Sequence, residues 1–316
     1  MHAEATAAPR GGPSPHAPRA AIALALAAVY LIWGSSYLAT KVMVSTEPPL
    51  FAAGLRFTLA GLLLGAWAWW RTGPPRYSRS DLRHLAVVMA CTIIISNGCN
   101  VVAMQHVPSN VAALLNATPA LWIAWLGTFG RRATPLSSGA RIGLVVGLIG
   151  TFMVLSPAEG ESLLTGLGWQ LVILVGCVGW SLGTVYFRNA TIVNSSTMFL
   201  ALQMLTGGLS LIALAPVFGE TLEMQWTVPG TAAFLWLTLM SSCVAYTAYM
   251  YLAIHTTPVL VGTYAYVNPG IAALLGWMVL GETLGALQLA GMAVILLAVA
   301  LVTGYIGGER RSGVTP

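Results

Sequence analysis

Ten apolar stretches of about twenty residues follow one another along the chain, with short polar gaps between them. The stretches cover residues 20–44, 50–70, 84–105, 109–129, 139–156, 166–187, 196–218, 229–253, 259–280 and 285–306. About twenty apolar residues in a helix are enough to cross the hydrocarbon core of a bilayer. The pattern therefore predicts an all-α membrane protein with ten transmembrane helices, numbered here as spans one to ten.

The charges in the gaps predict the orientation of these spans. Of the 14 basic residues, all but Lys41 and Arg56 fall in alternate gaps or at the two ends. The intervening gaps contain Glu47, Glu159, Glu161, Glu220, Glu223 and Glu282. Because cytoplasmic loops retain Arg and Lys, we expect a multi-pass inner-membrane protein with both termini in the cytoplasm.

Composition excludes several classes of function. Only 7% of the residues are charged, against roughly 25% in soluble domains, so no room remains for a soluble catalytic domain. The net charge of +5 follows from scattered loop arginines and indicates orientation, not nucleic-acid binding. The four cysteines lie inside predicted spans without metal-ligand spacing. We expect no enzyme activity, no metal and no cofactor.

An internal repeat divides the chain into two five-helix units. The segment from Trp33 to Lys41 resembles the segment from Trp180 to Arg188 at an offset of 147, which also pairs Arg56 with Gln203. Prolines 108 and 258, and prolines 119 and 269, are paired at an offset of 150. We predict a disordered cytoplasmic tail over 1–19, repeats over 20–156 and 166–306, and a second tail over 307–316. Since five is odd, the second repeat should be inverted, as is typical of secondary transporters.

Two cations inside the spans are candidates for binding an anionic group. Lys41 lies in the outer part of span one, and Arg56 lies about one and a half turns into span two. A charge at the bilayer centre costs roughly 2.5–3.5 kcal/mol, so each needs water, a partner or a carbonyl. The alternatives are that Lys41 snorkels outward and that Arg56 binds neighbouring carbonyls or Glu282. No Asp or Glu lies well inside a span, which disfavours a carboxylate proton relay.

Polar and aromatic residues at helical spacing predict a substrate cavity. In span one, Trp33, Ser36, Tyr37, Thr40 and Lys41 fall on one stripe, and such stripes face the bundle interior in lipid. Other spans contribute the remaining candidates: Asn97, Asn100, Asn116, Trp180, Tyr246, Tyr249, Tyr264 and Asn268. The alternative is an aromatic belt at the membrane interface.

Small residues and mid-span prolines suggest two further roles. Pro119 and Pro269 each free a backbone carbonyl, which indicates either gating or a kink satisfied by a neighbouring helix. Span five contains Gly143-x-x-x-Gly147, and span ten contains Gly285 and Gly291. This spacing permits close helix packing, so we assign spans five and ten to the scaffold or to a homodimer face.

Several motifs resemble the EamA-type branch of the drug/metabolite transporter superfamily, and within it the YedA-type group. They are Trp33-Gly-Ser-Ser-Tyr37, Arg56-Phe57, Pro108-x10-Pro119, Ala248-Tyr-Met-Tyr-Leu252, Thr263-Tyr-Ala-Tyr-Val-Asn-Pro269 and Gly281-Glu282-Thr283-Leu284. The resemblance implies two inverted five-helix repeats around a central cavity lined by spans one, three, four, six, eight and nine. The chain departs from many members of this branch at Gly130-Arg131-Arg132, because those relatives carry an acidic residue there.

Together, these patterns predict a secondary transporter that exports small organic metabolites, such as amino acids, their analogues or toxic compounds, by alternating access. The expected partners are a small-molecule substrate and membrane lipid. An importer or exchanger of the same substrates and a lipid-precursor flippase remain alternatives. A membrane enzyme should show acidic or metal-binding groups clustered at the membrane surface, and the sequence has no such cluster. An accessory subunit without transport is disfavoured by the polar stripes in both repeats.

Overall fold

A computed structural model of the protein describes residues 18–75, 78–129, 135–136, 138–155, 163–190, 195–256, 260 and 263–308. The described residues form helices and their connecting turns, without strands. The predicted tails lie almost wholly outside them, as do Arg131 and Arg132.

The first half of the chain, α1 to α6, follows the predicted spans with one exception. Its helices are α1 (Arg19–Thr46), α2 (Pro49–Thr72), α3 (Arg79–Ala103), α4 (Ser109–Leu115), α5 (Pro119–Leu126) and α6 (Ser138–Val154). The prediction of one continuous helix over 109–129 is wrong, because α4 and α5 are separated by a break at residues 116–118.

The second half, α7 to α11, also follows the prediction. Its helices are α7 (Leu163–Asn189), α8 (Ser196–Leu214), α9 (the consecutive segments Val228–Leu235, Trp236–Ala245 and Tyr246–His255), α10 (Tyr264–Leu280) and α11 (Ala286–Gly308). Span nine was expected to begin at residue 259, and most of the residues between 257 and 262 lie outside the described part.

Six of the described helices are long and apolar enough to cross a membrane: Arg19–Thr46, Pro49–Thr72, Arg79–Ala103, Leu167–Asn189, Thr197–Phe218 and Val228–Leu252. Three shorter helices are also apolar, over Ser138–Val154, Val267–Leu280 and Ala286–Val302. The protein is therefore an all-helical membrane protein with several membrane-crossing helices.

The break between α4 and α5 is satisfied by neighbouring groups. Pro119 has no N–H, so the carbonyl of Leu115 loses its helical partner. That carbonyl instead accepts the hydroxyl of Thr118 at 2.7 Å and the thiol of Cys177 in α7 at 3.4 Å. Pro269, by contrast, lies inside the unbroken helix α10. The two prolines paired by the repeat thus differ in their effect on the backbone.

Two π-helical segments occupy equivalent places in the two halves. They are Ala90–Asn97 within α3 and Trp236–Ala245 within α9. Such segments are rare and often lie at functional sites. Neither segment was predicted from the sequence.

Glycines allow the two halves to pack closely. A Cβ added at Gly61 in α2 would lie 2.5 Å from the Leu205 nitrogen in α8, and one added at Gly208 in α8 would lie 2.5 Å from the Thr58 nitrogen in α2. The backbones of α2 and α8 therefore cross without room for a side chain, as small residues permit in membranes.

Helices α6 and α11 pack by the same device. A Cβ on Gly150 would lie 2.9 Å from the Ile295 nitrogen, and one on Gly291 would lie 2.9 Å from the Gly150 oxygen. The glycine face of span five is therefore buried within one chain, where it serves the scaffold. A homodimer through these helices stays a prediction that would require their outer faces, where Ile142 and Phe152 are exposed.

Glutamates join the two halves at one end of the bundle, called here the glutamate end. Glu282 accepts the Ser109 amide and hydroxyl, both at 2.7 Å, and the Asn110 amide at 3.1 Å. It thereby caps α4, whose N-cap residue is a proline without a capping side chain.

Two other glutamates make similar bonds between the halves. Glu220 accepts the amides of Leu50 and Phe51 at 3.0–3.1 Å and caps α2. Glu47 accepts the amide of Gln225 at 2.6 Å. Carboxylates are favourable at helix N-termini because they oppose the helix dipole, so the acidic gap residues stabilise contacts between the halves.

Candidate functional site

A cavity of about 160 Å³ lies between the two halves. It is lined by Trp33, Ser36, Tyr37, Thr40, Arg56, Ser96, Asn97, Asn100, Val101, Met104, Asn116, Pro119, Trp180, Ser241, Tyr246, Tyr264 and Asn268. A protein cavity of about 150 Å³ accommodates benzene. This cavity thus has room for a ligand of about six non-hydrogen atoms.

The structure brings most of the predicted site residues together. Those that line the cavity are Trp33, Tyr37, Arg56, Asn97, Asn100, Asn116, Trp180, Tyr246, Tyr264 and Asn268. Pro119, predicted to act in gating, also borders it, whereas Pro269 does not. The role of these residues in substrate binding stays a prediction.

Lys41 lies outside this cavity and has a structural contact. Its ammonium donates to the carbonyls of Met104 at 2.8 Å, Gln105 at 3.2 Å and Val107 at 3.1 Å. These carbonyls follow the end of α3, where a cation is favoured by the helix dipole. The alternative considered for Lys41 was that it snorkels outward, whereas the structure gives it a contact with backbone carbonyls. Its role in substrate binding stays a prediction.

An aromatic cluster forms one wall of the cavity. The Trp33 ring lies 5.2 Å from Tyr246 and 5.3 Å from both Tyr249 and Tyr264. Its indole N–H donates to the carbonyl of Ser241 at 3.3 Å. Tyr249 belongs to this cluster but does not line the cavity. The rings are thus held by one another and by α9, with an apolar surface toward the cavity.

Three asparagine amides form another wall and are anchored to the protein. Asn116 Nδ2 donates to Asn100 Oδ1 at 2.7 Å, and Asn100 Nδ2 donates to the Ser96 carbonyl at 3.0 Å. Asn97 Nδ2 donates to the Thr92 carbonyl at 2.7 Å, inside the π-helical segment. Each of the three amide nitrogens therefore already makes at least one hydrogen bond within the protein.

Arg56 is the cationic residue of the cavity lining. It is buried, with 6% of its surface exposed, and its Nε donates to the hydroxyl of Ser242 at 3.1 Å. The guanidinium carbon lies 4.4 Å from the centre of the Phe57 ring. Within the described part of the chain no carboxylate pairs with it, and Glu282, considered from the sequence, binds Ser109 and Asn110 instead.

Sequence reasoning missed Ser96, Val101, Met104 and Ser241 as lining residues. Ser96 and Ser241 lie in the two π-helical segments, whose extra width turns the following side chains. Serine and apolar residues are common throughout membrane helices, so their types gave no signal.

A second, wider cavity of about 350 Å³ opens at the glutamate end. Lys41, Val42, Ser45, His106, Pro108, Leu280 and Glu282 line it. His106 also stacks on Trp169 with ring centres 4.2 Å apart. Among the described residues no group of three or more His, Cys, Asp or Glu could hold a metal.

The long apolar helices, with a cavity lined by polar and aromatic side chains between the halves, define a polytopic helical membrane protein. The model of the EamA-like transporter family matches the chain twice, over residues 19–156 and 167–304. The chain therefore belongs to the EamA-like transporter family and is a membrane transporter, a description that points away from an enzyme. The resemblance to this family inferred from the sequence motifs is confirmed.

Curated relatives agree with this assignment. The chain is 36% identical over 282 residues to the "Uncharacterized inner membrane transporter YedA" of Escherichia coli K12, covering 88% of this chain and 89% of that protein. It is 26% identical over 304 residues to the "Uncharacterized transporter YvbV" of Bacillus subtilis, covering 94% and 96%. A protein crystal structure with 20% identity shares the fold, with a TM-score of 0.62, and covers 94% of this chain and all of that one.

Proposed function

We propose that the protein is a secondary transporter that exports small organic metabolites, such as amino acids, their analogues or toxic compounds, across the inner membrane by alternating access. It has ten membrane spans, with α4 and α5 forming one broken span, arranged as two inverted five-helix repeats. Both termini face the cytoplasm.

The single observation that carries this proposal is a cavity between the two halves of the bundle, lined by polar and aromatic side chains. Its lining residues come from α1, α2, α3, α5 and the break before α5 in the first half, and from α7, α9 and α10 in the second. In transporters built from repeats, substrate sites lie at the interface between the repeats near the membrane midplane.

Packing between equivalent helices supports an inverted repeat. The glycines that let α2 and α8 cross, Gly61 and Gly208, are themselves paired by the offset of 147. Equivalent elements pack against each other when a two-fold axis passes between them. Helices α6 and α11, the fifth spans of the two repeats, also pack against each other, at Gly150 and Gly291.

The orientation rests on the charge pattern. Arg71, Arg79 and Arg188 are exposed at the ends of α2, α3 and α7, opposite the glutamate end. The hydrogen bond between His84 and Tyr186 at 2.9 Å joins α3 and α7 near this arginine-bearing end. Cytoplasmic loops retain Arg, so we assign this end to the cytoplasm.

The two sides of the cavity suggest how access alternates. Toward the glutamate end, Glu47, Glu220 and Glu282 close the interface between the halves with hydrogen bonds. On the other side, the rings around Trp33 close it. Rocking of one repeat against the other would break one set of contacts while keeping the other.

The test is transport in proteoliposomes with the protein in one orientation. We expect saturable movement of at least one compound from a panel of amino acids and related metabolites. Trp33→Ala and Tyr264→Ala should abolish it without loss of folded protein, because each removes a ring that lines the cavity. Trp70→Ala, which removes a tryptophan that is 79% exposed, is the matched control.

The same assay separates the alternatives. Accumulation in the opposite direction, or strict dependence on a compound on the far side, would indicate an importer or an exchanger. Movement of a lipid precursor alone would indicate a flippase. Wild-type transport in both ring variants would remove these residues from the site.

A further inference from the structure

The two halves make the same hydrogen bond with side chains of different charge. In the first half, Arg56 Nε donates to the Ser242 hydroxyl at 3.1 Å. In the second half, Gln203, which the repeat pairs with Arg56, donates to the Thr92 hydroxyl at 2.6 Å. Both acceptors lie in π-helical segments. A neutral amide therefore suffices for this contact, and the charge of Arg56 exceeds what packing requires.

A buried cation without a counter-ion is costly unless something compensates it. Within the described residues, Arg56 has no carboxylate partner, and its hydrogen bond to Ser242 uses Nε alone. A guanidinium has five N–H groups, so those on its two Nη nitrogens remain available. A carboxylate accepts two of them in a bidentate pair, the strongest arrangement for this group.

The lining of the cavity contains no other charge of either sign among the described residues. A cationic substrate would face Arg56 without a carboxylate to hold it. A substrate with a carboxylate would instead supply the missing counter-ion. The electrostatics of the cavity thus favour a carboxylate.

A second group in the lining needs a donor. Asn268 is 4% exposed, and its Oδ1 is buried without a hydrogen-bond partner among the described residues. A buried acceptor left unsatisfied costs about 1–3 kcal/mol. A hydroxyl or amino group of a ligand in the cavity would satisfy it.

We infer that the substrate is a small organic acid whose carboxylate pairs with Arg56 and whose hydroxyl or amino group donates to Asn268. This inference rests on the proposed transport function and names its substrate class. The cavity of about 160 Å³ matches such a molecule with about six non-hydrogen atoms.

Four compounds of nearly equal size test this inference. Lactate has a carboxylate and a hydroxyl, alanine has a carboxylate and an ammonium, and propionate has only the carboxylate. Alaninamide has the ammonium and a neutral amide in place of the carboxylate. Binding to the purified full-length protein is measured by calorimetry. We expect lactate, alanine or both to bind, propionate to bind about three- to tenfold more weakly, and alaninamide to bind about ten- to a hundredfold more weakly.

Two variants assign the preferences to residues. Arg56→Gln should fold, because Gln203 makes the equivalent bond in the second half, and it should remove the preference for lactate or alanine over alaninamide. Asn268→Leu should remove the preference over propionate and keep that over alaninamide. Arg71→Gln, which neutralises an exposed arginine of the same helix, should change neither. If Arg56→Gln does not fold, Arg56→Lys replaces it and should reduce the carboxylate preference partly.

The outcomes distinguish this inference from the function itself. Equal or stronger binding of alaninamide, absence of binding by both lactate and alanine, or unchanged preferences in Arg56→Gln would overturn the inference. Transport of a cationic amine or of a neutral compound by the same preparation would leave the transporter function standing. Lack of transport for every compound of the wider panel would reject the proposed function instead.

Discussion

The two halves of the molecule share their packing but differ in chemistry. Helix α2 of the first half and helix α8 of the second cross at paired glycines. Each half also contains a π-helical segment in the equivalent helix. The first half brings the buried charge of Arg56 and three linked asparagines to the cavity. The second half brings Tyr246 and Tyr264. The scaffold thus follows the repeat, whereas the cavity depends on its differences.

This contrast indicates which positions tolerate change. Positions that make the same contact in both halves, such as Gly61 and Gly208, are constrained by backbone geometry. Positions where they diverge, such as Arg56 and Gln203, carry chemistry beyond packing. Substitutions should therefore separate effects on stability from effects on ligand preference.

The largest effect on stability is expected at the shared crossing. In Gly61→Ala, the new Cβ would meet the Leu205 nitrogen at 2.5 Å, and backbone atoms cannot move aside as a side chain can. Overpacking of this kind should lower the free energy of unfolding by about 1–3 kcal/mol. Unfolding of the detergent-solubilised protein by heat, followed by tryptophan fluorescence, measures the loss.

The control for this substitution is Gly65→Ala, one turn further along α2. Its Cβ would lie 3.7 Å from the Ala201 Cβ, an ordinary contact. Equal stability of the two variants would contradict the close approach of α2 and α8 at Gly61.

A smaller effect is expected where the second half caps the first. Glu282→Gln retains one acceptor oxygen but loses the negative charge that faces the amides of Ser109 and Asn110. Loss of a helix N-cap costs about 0.5–2 kcal/mol, so the variant should unfold at a lower temperature. Glu223→Gln, which neutralises another gap glutamate that is exposed, should leave the unfolding temperature unchanged. Identical behaviour of both variants would argue against a capping role for Glu282.

The smallest effect is expected at Lys41. Lys41→Met keeps the apolar stem and loses the donors to the three carbonyls at the end of α3. A cation at a helix C-terminus contributes about 0.3–1 kcal/mol, so a slight loss of thermal stability is expected, with ligand preference unaltered. Lys41→Arg should restore the stability. Normal stability of Lys41→Met combined with loss of ligand binding would indicate that Lys41 belongs to the substrate site.

Much of the fold could be predicted from the sequence, because the length of apolar segments is set directly by membrane thickness. The bounds of α1, α2 and α7 differ from the predicted spans by a few residues. The break at residues 116–118 was not predicted, since a proline within a span is compatible with both a kink and a break. Pro269 shows the other outcome within the same chain.

The cavity lining was also largely predictable, because polar and aromatic residues are uncommon in lipid and turn inward. Trp33, Arg56 and Asn116 were found in this way. Lys41 does not line this cavity, and the sequence does not show that the carbonyls after the end of α3 come within reach of its ammonium. The π-helical segments have no residue signature, so Ser96 and Ser241 could not be singled out.

The π-helical segments have a consequence for how the cavity can diversify. Side chains in an α-helix advance by about 100° per residue. If one residue is deleted from Ala90–Asn97, the π-helical segment can convert to an ordinary α-helical turn. Every side chain of α3 before the deletion is then rotated by about 100° relative to Asn97 and Asn100. Loss or gain of a single codon there would change which side chains of α3 face the cavity while the helix stays intact. New substrate specificities can therefore evolve by insertion or deletion as well as by substitution.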